Sequence, residues 1–198
     1  MAEKIVKRKW PVVLLVILLL SLLFAQSSYA YYLFGKKLNY GVYNRAYYVG
    51  MSSPSYVNPT VAAVADWNWA VNPSDNGSGV DVLFWWTTNM SEASIRFWGE
   101  NLPTQTWTGL TRFFSSNGNQ ISPSQYNWSY SSIIFNTDNA PAGQYNYMKA
   151  IAAHEMGHAF GLAHNSYDTG VIMYPYWNIC TAASPTADDV SGVVGLYS

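Results

Sequence analysis

A chain of 198 residues, 49% hydrophobic and only 11% charged, is long enough for one domain with a sizeable core and too apolar for a disordered segment. Its formal net charge of −1 gives no electrostatic basis for binding nucleic acid. The single cysteine, Cys180, excludes an intramolecular disulfide, so the fold must rest on its core, with any further staple coming from a metal.

Residues 1–30 stand apart. Lys4, Lys7, Arg8 and Lys9 form a positive cluster, the apolar run Val12 to Phe24 follows, broken only by Ser21, and Ser28-Tyr29-Ala30 puts small residues where a signal peptidase reads. The run is short for a membrane span of about 20 residues, so a secretory signal peptide cleaved after Ala30 is expected rather than an anchor. Residues 31–198 are then one secreted, extracellular domain that no longer touches a membrane. Four of ten basic and one of eleven acidic residues leave with the signal, which makes the remainder mildly acidic.

Within 31–198, alternation at Leu38, Tyr40 and Val42 predicts a first strand. Asn58-Pro59 predicts a helix start, followed by Val61, Val64 and Ala65 at helical spacing and an end near Val71, before a Pro/Asn/Gly/Ser loop over 72–79. Val80 to Thr87, Ser94 to Trp98, Trp107 to Phe114 and Ser131 to Phe135 are rich in aromatic and β-branched residues and predict strands. A second helix is expected from Tyr145 to Phe160. A third begins at Thr186, where Asp189 completes a Thr-x-x-Asp capping pattern. Strands mixed with three helices give an α+β fold on a twisted, largely parallel or mixed sheet. The 9 Trp and 16 Tyr fall mostly in strand patterns, which assigns them to packing rather than to a carbohydrate-binding face.

Residues 154–164 read His-Glu-Met-Gly-His-Ala-Phe-Gly-Leu-Ala-His. His154 and His158, four apart on a helix, project from one face and can share a Zn²⁺ at about 2.0–2.1 Å. Glu155 is turned about 100° from His154, away from the metal and toward a water on it. Gly161 can take a positive φ and turn the chain so that His164 supplies a third nitrogen. Three ligands leave a position open for water, which marks a catalytic zinc. The chain has three histidines, and all three stand in this motif.

His-Glu-x-x-His-x-x-Gly-x-x-His is the metzincin signature, and its flanks resemble the matrixin branch. Val171-Ile172-Met173-Tyr174-Pro175 is similar to the Met-turn of that family, residues 185–197 to its closing helix, and Ile134 to Asp138 to the strand before its active-site helix. The resemblance implies a metzincin-like catalytic domain: mixed sheet, active-site helix, third-ligand loop, Met-turn and C-terminal helix. It further implies a zinc endopeptidase acting on protein or peptide substrates, with Met173 as the floor of the site and Pro175, Tyr176 and Trp177 walling the pocket for an apolar side chain after the scissile bond. By the same resemblance Asp188 and Asp189 tie the last helix to the Met-turn or the N-terminus, while the residues themselves equally fit a helix start, where acidic groups favour the dipole. Departures are plain too. No propeptide is expected between Ala30 and Leu38 and no Pro-Arg-Cys-Gly switch is seen, and no histidine is left for the second, structural zinc of many matrixins, so one catalytic Zn²⁺ is expected. Asp75, Asp81, Asp138 and Asp168 offer oxygens for calcium, but no Asp-rich loop singles out a set. In the mechanism expected, Glu155 deprotonates a zinc-bound water and passes the proton to the leaving amine. A zinc-stabilised binding protein and a hydrolase of other acyl substrates share the motif; intact Glu155 speaks against the first, and the cleft walls decide the second. Nothing in the sequence sets an oligomeric state.

Overall fold

The structure, a computed structural model, describes residues 31–72, 74, 79–140, 142–178 and 180–198. The expected signal peptide and Asp75 lie outside the described residues. Six strands, β1 (Arg45–Val49), β2 (Phe84–Trp86), β3 (Ala93–Glu100), β4 (Gly109–Phe114), β5 (Gln120–Ile121) and β6 (Tyr130–Asn136), form one mixed sheet in the order β2-β1-β3-β6-β4-β5. The first four in that order are parallel; β4 and β5 continue the sheet antiparallel. Parallel neighbours need a crossover, and helix α1 (Pro54–Ala70) supplies it between β1 and β2. Helices α2 (Tyr145–Phe160) and α3 (Ala187–Tyr197) complete an α+β fold.

Several boundaries differ from expectation. Leu38 and Val42 are buried and Tyr40 exposed, as an alternating strand would have them, yet the chain turns at Gly41, φ +75°, and the strand begins at Arg45. Helix α1 starts at Pro54, not at Pro59, which sits inside the helix. An earlier proline took the first-turn place where a missing N–H does no harm. Strand β2 is three residues long because Val82 N–H bonds Val71 O and the Asn68 side chain takes both Phe84 N–H and Phe84 C=O at 2.9 Å. Asn68 thereby blocks the outer edge of the sheet. Strand β4 starts two residues later than expected, at Gly109, and the short β5 was not expected.

Helix α2 is buried on every side from Ala150 to Phe160, which is why it shows no amphipathic stripe. It lies between α1 and the sheet strands β4 and β6. Two indoles clamp it from separate elements. Trp67 of α1 donates Nε1–H to Ala153 O, and Trp128, just before β6, donates to Ala159 O, both at 2.9 Å and both rings fully buried. Replacing Trp67 by Phe keeps most of the apolar burial but removes that bond and leaves a small void. A loss of about 1–3 kcal/mol in urea unfolding is expected; an unchanged midpoint would show that the clamp does not hold the helix.

Candidate metal centre

Helix α2 presents His154 and His158 one turn apart, buried and with ring centroids 4.7 Å apart. The helix ends at Gly161, whose φ of +122° only glycine adopts readily and whose N–H closes onto Gly157 O and His158 O. The next residues are strapped to the start of the domain: Phe34 N–H bonds Gly161 O and Ala163 N–H bonds Tyr32 O. That strap carries His164 to the other two. Its Nε2 stands 3.1 Å from Nε2 of both His154 and His158.

Whether a cation fits follows from the protons. Burial lowers the pKa of His154 well below the usual value and that of His158 to about 3, with the neighbouring rings adding to the effect, and partial desolvation lowers that of the more exposed His164, so the neutral forms are favoured at pH 7. Nδ1–H of His154 donates to Ile172 O at 2.7 Å and Nδ1–H of His158 to Leu162 O at 2.8 Å. Both Nε2 atoms therefore aim lone pairs at Nε2 of His164, which can donate to only one of them. A cation between the three satisfies every lone pair. Nitrogens about 2.0–2.1 Å from a tetrahedral zinc stand about 3.3 Å apart, close to the spacing found. Among the described residues no second group of three metal-ligating side chains comes together.

Glu155 lies beside this cluster but turns toward strand β4. Its Oε2 accepts a hydrogen bond from Thr111 Oγ1 at 2.7 Å, and the same hydroxyl is 2.9 Å from the main-chain oxygen of Glu155. Burial pushes the carboxyl up to about 7, with the Thr111 bonds acting the other way. Gly109, two residues before Thr111, has no room for a side chain: a Cβ there would come within 2.7 Å of Glu155 Oε1 and 2.8 Å of Ile151 Cγ2. Neither Thr111 nor Gly109 carries a local sequence signal; only the pairing of β4 with α2 reveals them.

The turn Val171–Tyr174 underlies the cluster. Met173 is buried, and its Sδ lies so close to Gly157 that a Cβ there would meet it at 2.3 Å. Buried Asp189 secures the turn, accepting from Ile172 N–H at 3.0 Å and Met173 N–H at 3.3 Å. It also accepts from Thr186 N–H and Oγ1, so the capping box and the tie to the turn are one group doing two jobs. Asp188 instead accepts from Asn165 Nδ2 at 3.2 Å. Cys180 is a half-buried free thiol, its pKa raised by burial. Asp168 Oδ1 is taken up by Gly170 N–H, and Asp81, Asp138 and Asp168 join no metal-ligating group.

Two cavities of about 340 and 350 Å³ flank the cluster and share Trp107, Gly109, Glu155 and His164 as lining, so they adjoin at Glu155. Pro175, Tyr176 and Trp177 all line the first cavity. Trp177 sets its ring centroid 5.2 Å from that of His154 in an edge-to-face contact, whereas Tyr176 is 63% exposed and packs on Tyr174. Trp177 is therefore the inner wall. The second cavity is mainly apolar and includes Phe34, which stacks on His158 at 5.6 Å. Trp107 reaches both cavities from a loop organised by Asn136, a fully buried residue at the end of β6. Its Nδ2 donates to the carbonyls of Leu102, Gln105 and Trp107, and its Oδ1 accepts from Leu102 N–H. That role had no local signal either.

The family model for matrixins, peptidase family M10, matches residues 64–198, about two thirds of the chain. Interstitial collagenase of Bos taurus is 40% identical over 47 residues, and that of Sus scrofa 38% over 47. The match takes in 24% of this chain and 10% of each collagenase, so the chain spans about a tenth of the length of these curated relatives. Among solved structures, the GM1 bound form of the ECX AB5 holotoxin aligns over 79% of this chain and 81% of its own, at 15% identity and a TM-score of 0.47. Matrixins use zinc, and the three-histidine cluster is consistent with that metal.

The support under the cluster makes a testable difference between two adjacent acids. Asp189→Ala strands the main-chain N–H groups of Ile172, Met173 and Thr186 and should lower stability by about 2–4 kcal/mol in denaturant unfolding. Asp188→Ala removes one bond from a half-buried site and should change it by less than about 1 kcal/mol. Equal losses would contradict the assignment of Asp189 as the tie.

Proposed function

The chain belongs to the matrixin family, and from that footing we propose that it is a secreted zinc-dependent endopeptidase with His154, His158 and His164 as ligands of one catalytic zinc and Glu155 as general base. The observation that carries this is the convergence of the three imidazole Nε2 atoms, with the Glu155 carboxyl beside them lining both adjoining cavities. Residues 1–30 act as the secretory signal and 31–198 as the catalytic domain. Among the described residues no helix is long and apolar enough to cross a membrane.

Zinc in that site supplies a Lewis acid that lowers the pKa of water toward about 7 and polarises a carbonyl. The chain's own residues do the rest. The two adjoining cavities receive an extended peptide with its scissile bond over Glu155. Trp177 and Pro175 shape the cavity for an apolar side chain just after that bond, and Met173 forms the apolar floor beneath the ligands. Glu155 takes a proton from the attacking water and delivers it to the departing amine, so one carboxylate serves as base and then as acid. Its position next to a ligand in sequence, yet hydrogen-bonded to β4, keeps it out of the ligand set.

Glu155→Gln retains size and a hydrogen-bonding oxygen but cannot accept a proton at neutral pH. The protein should keep one zinc per chain and lose about 10²–10⁴ in peptide cleavage rate. His158→Ala should lose zinc and cleavage together. A Gln variant that cleaves as fast as the parent would overturn the assignment.

A further inference from the structure

A glutamate side chain is flexible, and a general base works only when held within about 2.6–3.2 Å of the proton it moves. Helix α2 places the Glu155 backbone but leaves its carboxylate to be aimed by something else. Strand β4 runs alongside with side chains alternating, so Gly109 and Thr111 face Glu155 together. Gly109 provides the space into which Oε1 and Cγ fit, and Thr111 touches Oε2. Thr111 is itself buried, so water does not replace its hydroxyl.

We infer that Thr111 is a positioning residue that aims the Glu155 carboxylate, its Oγ1–H donating to Oε2 at 2.7 Å while the space left by Gly109 takes Oε1. A hydroxyl has one proton and can accept as well as donate. With Glu155 ionised, Thr111 Oγ1–H donates to Oε2, the stronger choice because the acceptor is charged. The main-chain oxygen of Glu155 lies 2.9 Å from the same Oγ1, so the hydroxyl meets Glu155 at two points. This inference rests on Glu155 being the base.

Thr111→Val preserves shape and removes the hydroxyl; Thr111→Ser preserves the hydroxyl. In the zinc-loaded enzyme the Val variant should keep one zinc per chain, keep KM within about twofold and lose about tenfold in kcat, and the Ser variant should stay within about threefold of the parent. On the Glu155→Gln background the Val substitution should slow nothing further, since it acts through that carboxylate. A crystal structure of the Val variant should show the Glu155 carboxylate displaced or in more than one position. A Val variant with parental kcat, or a Ser variant as slow as the Val one, overturns the inference. If Glu155→Gln cleaves like the parent, it is the general-base reading that fails. The crystal structure then decides about Thr111 alone: an unmoved Glu155 in the Val variant overturns the tether, and a displaced one upholds it.

Discussion

The site depends on where two hydrogen atoms sit. Main-chain carbonyls of Ile172 and Leu162 take Nδ1–H of His154 and His158, which fixes both tautomers and leaves two Nε2 lone pairs facing Nε2 of His164. His164 can donate to only one of these lone pairs, whereas a cation between the three nitrogens satisfies all of them. Each carbonyl has its own reason to be where it is. Leu162 follows the left-handed Gly161 and is strapped by Tyr32 and Phe34, whereas Ile172 is held through its N–H by Asp189. The last helix thus touches the segments around the three histidines through Asp189 on the turn and Asp188 on Asn165. The first route, Asp189 to Ile172 to His154, links the packing of the last helix to the orientation of the His154 ring.

A helix that carries such a site must not shift, and α2 achieves this by being enclosed. Small residues at Ala152, Ala153, Gly157 and Ala159 let Trp67, Met173 and the sheet come close, and the two indole N–H groups add direction to what would otherwise be apolar contact. Gly157 shows the limit. With Met173 Sδ where it is, any side chain there would force either the helix or the turn away from the histidines. Packing and ligand geometry are therefore one problem in this domain. The antiparallel strand β4 completes the enclosure on the side of Glu155, and it is there that helix and sheet exchange a hydrogen bond instead of only apolar contact.

Much of this could be read in the sequence where the signal is local. Helix α2 runs over the expected span, Gly161 turns the chain, and Thr186 with Asp189 forms the expected capping box, because each depends on residues a few positions apart. Elements that depend on distant partners were misplaced. Leu38 and Val42 alternate like a strand, but Gly41 turns the backbone, and β2 is cut short by Asn68 from another element. At the site, the histidines and Glu155 stood out by spacing, whereas Thr111 and Asn136 act across 44 and up to 34 positions and look like any strand residue. Residues 175–177 all line one cavity, and only the structure separates inward Trp177 from outward Tyr176.

Coordination at the metal tests the whole account most directly. X-ray absorption at the zinc edge of the purified domain should show three imidazole nitrogens at about 2.0–2.1 Å together with one light oxygen-type scatterer, and no sulfur at about 2.3 Å. A sulfur contribution would bring Cys180 into the first shell, and a closed shell of four protein ligands would make the site structural; either result contradicts a catalytic centre built from His154, His158 and His164.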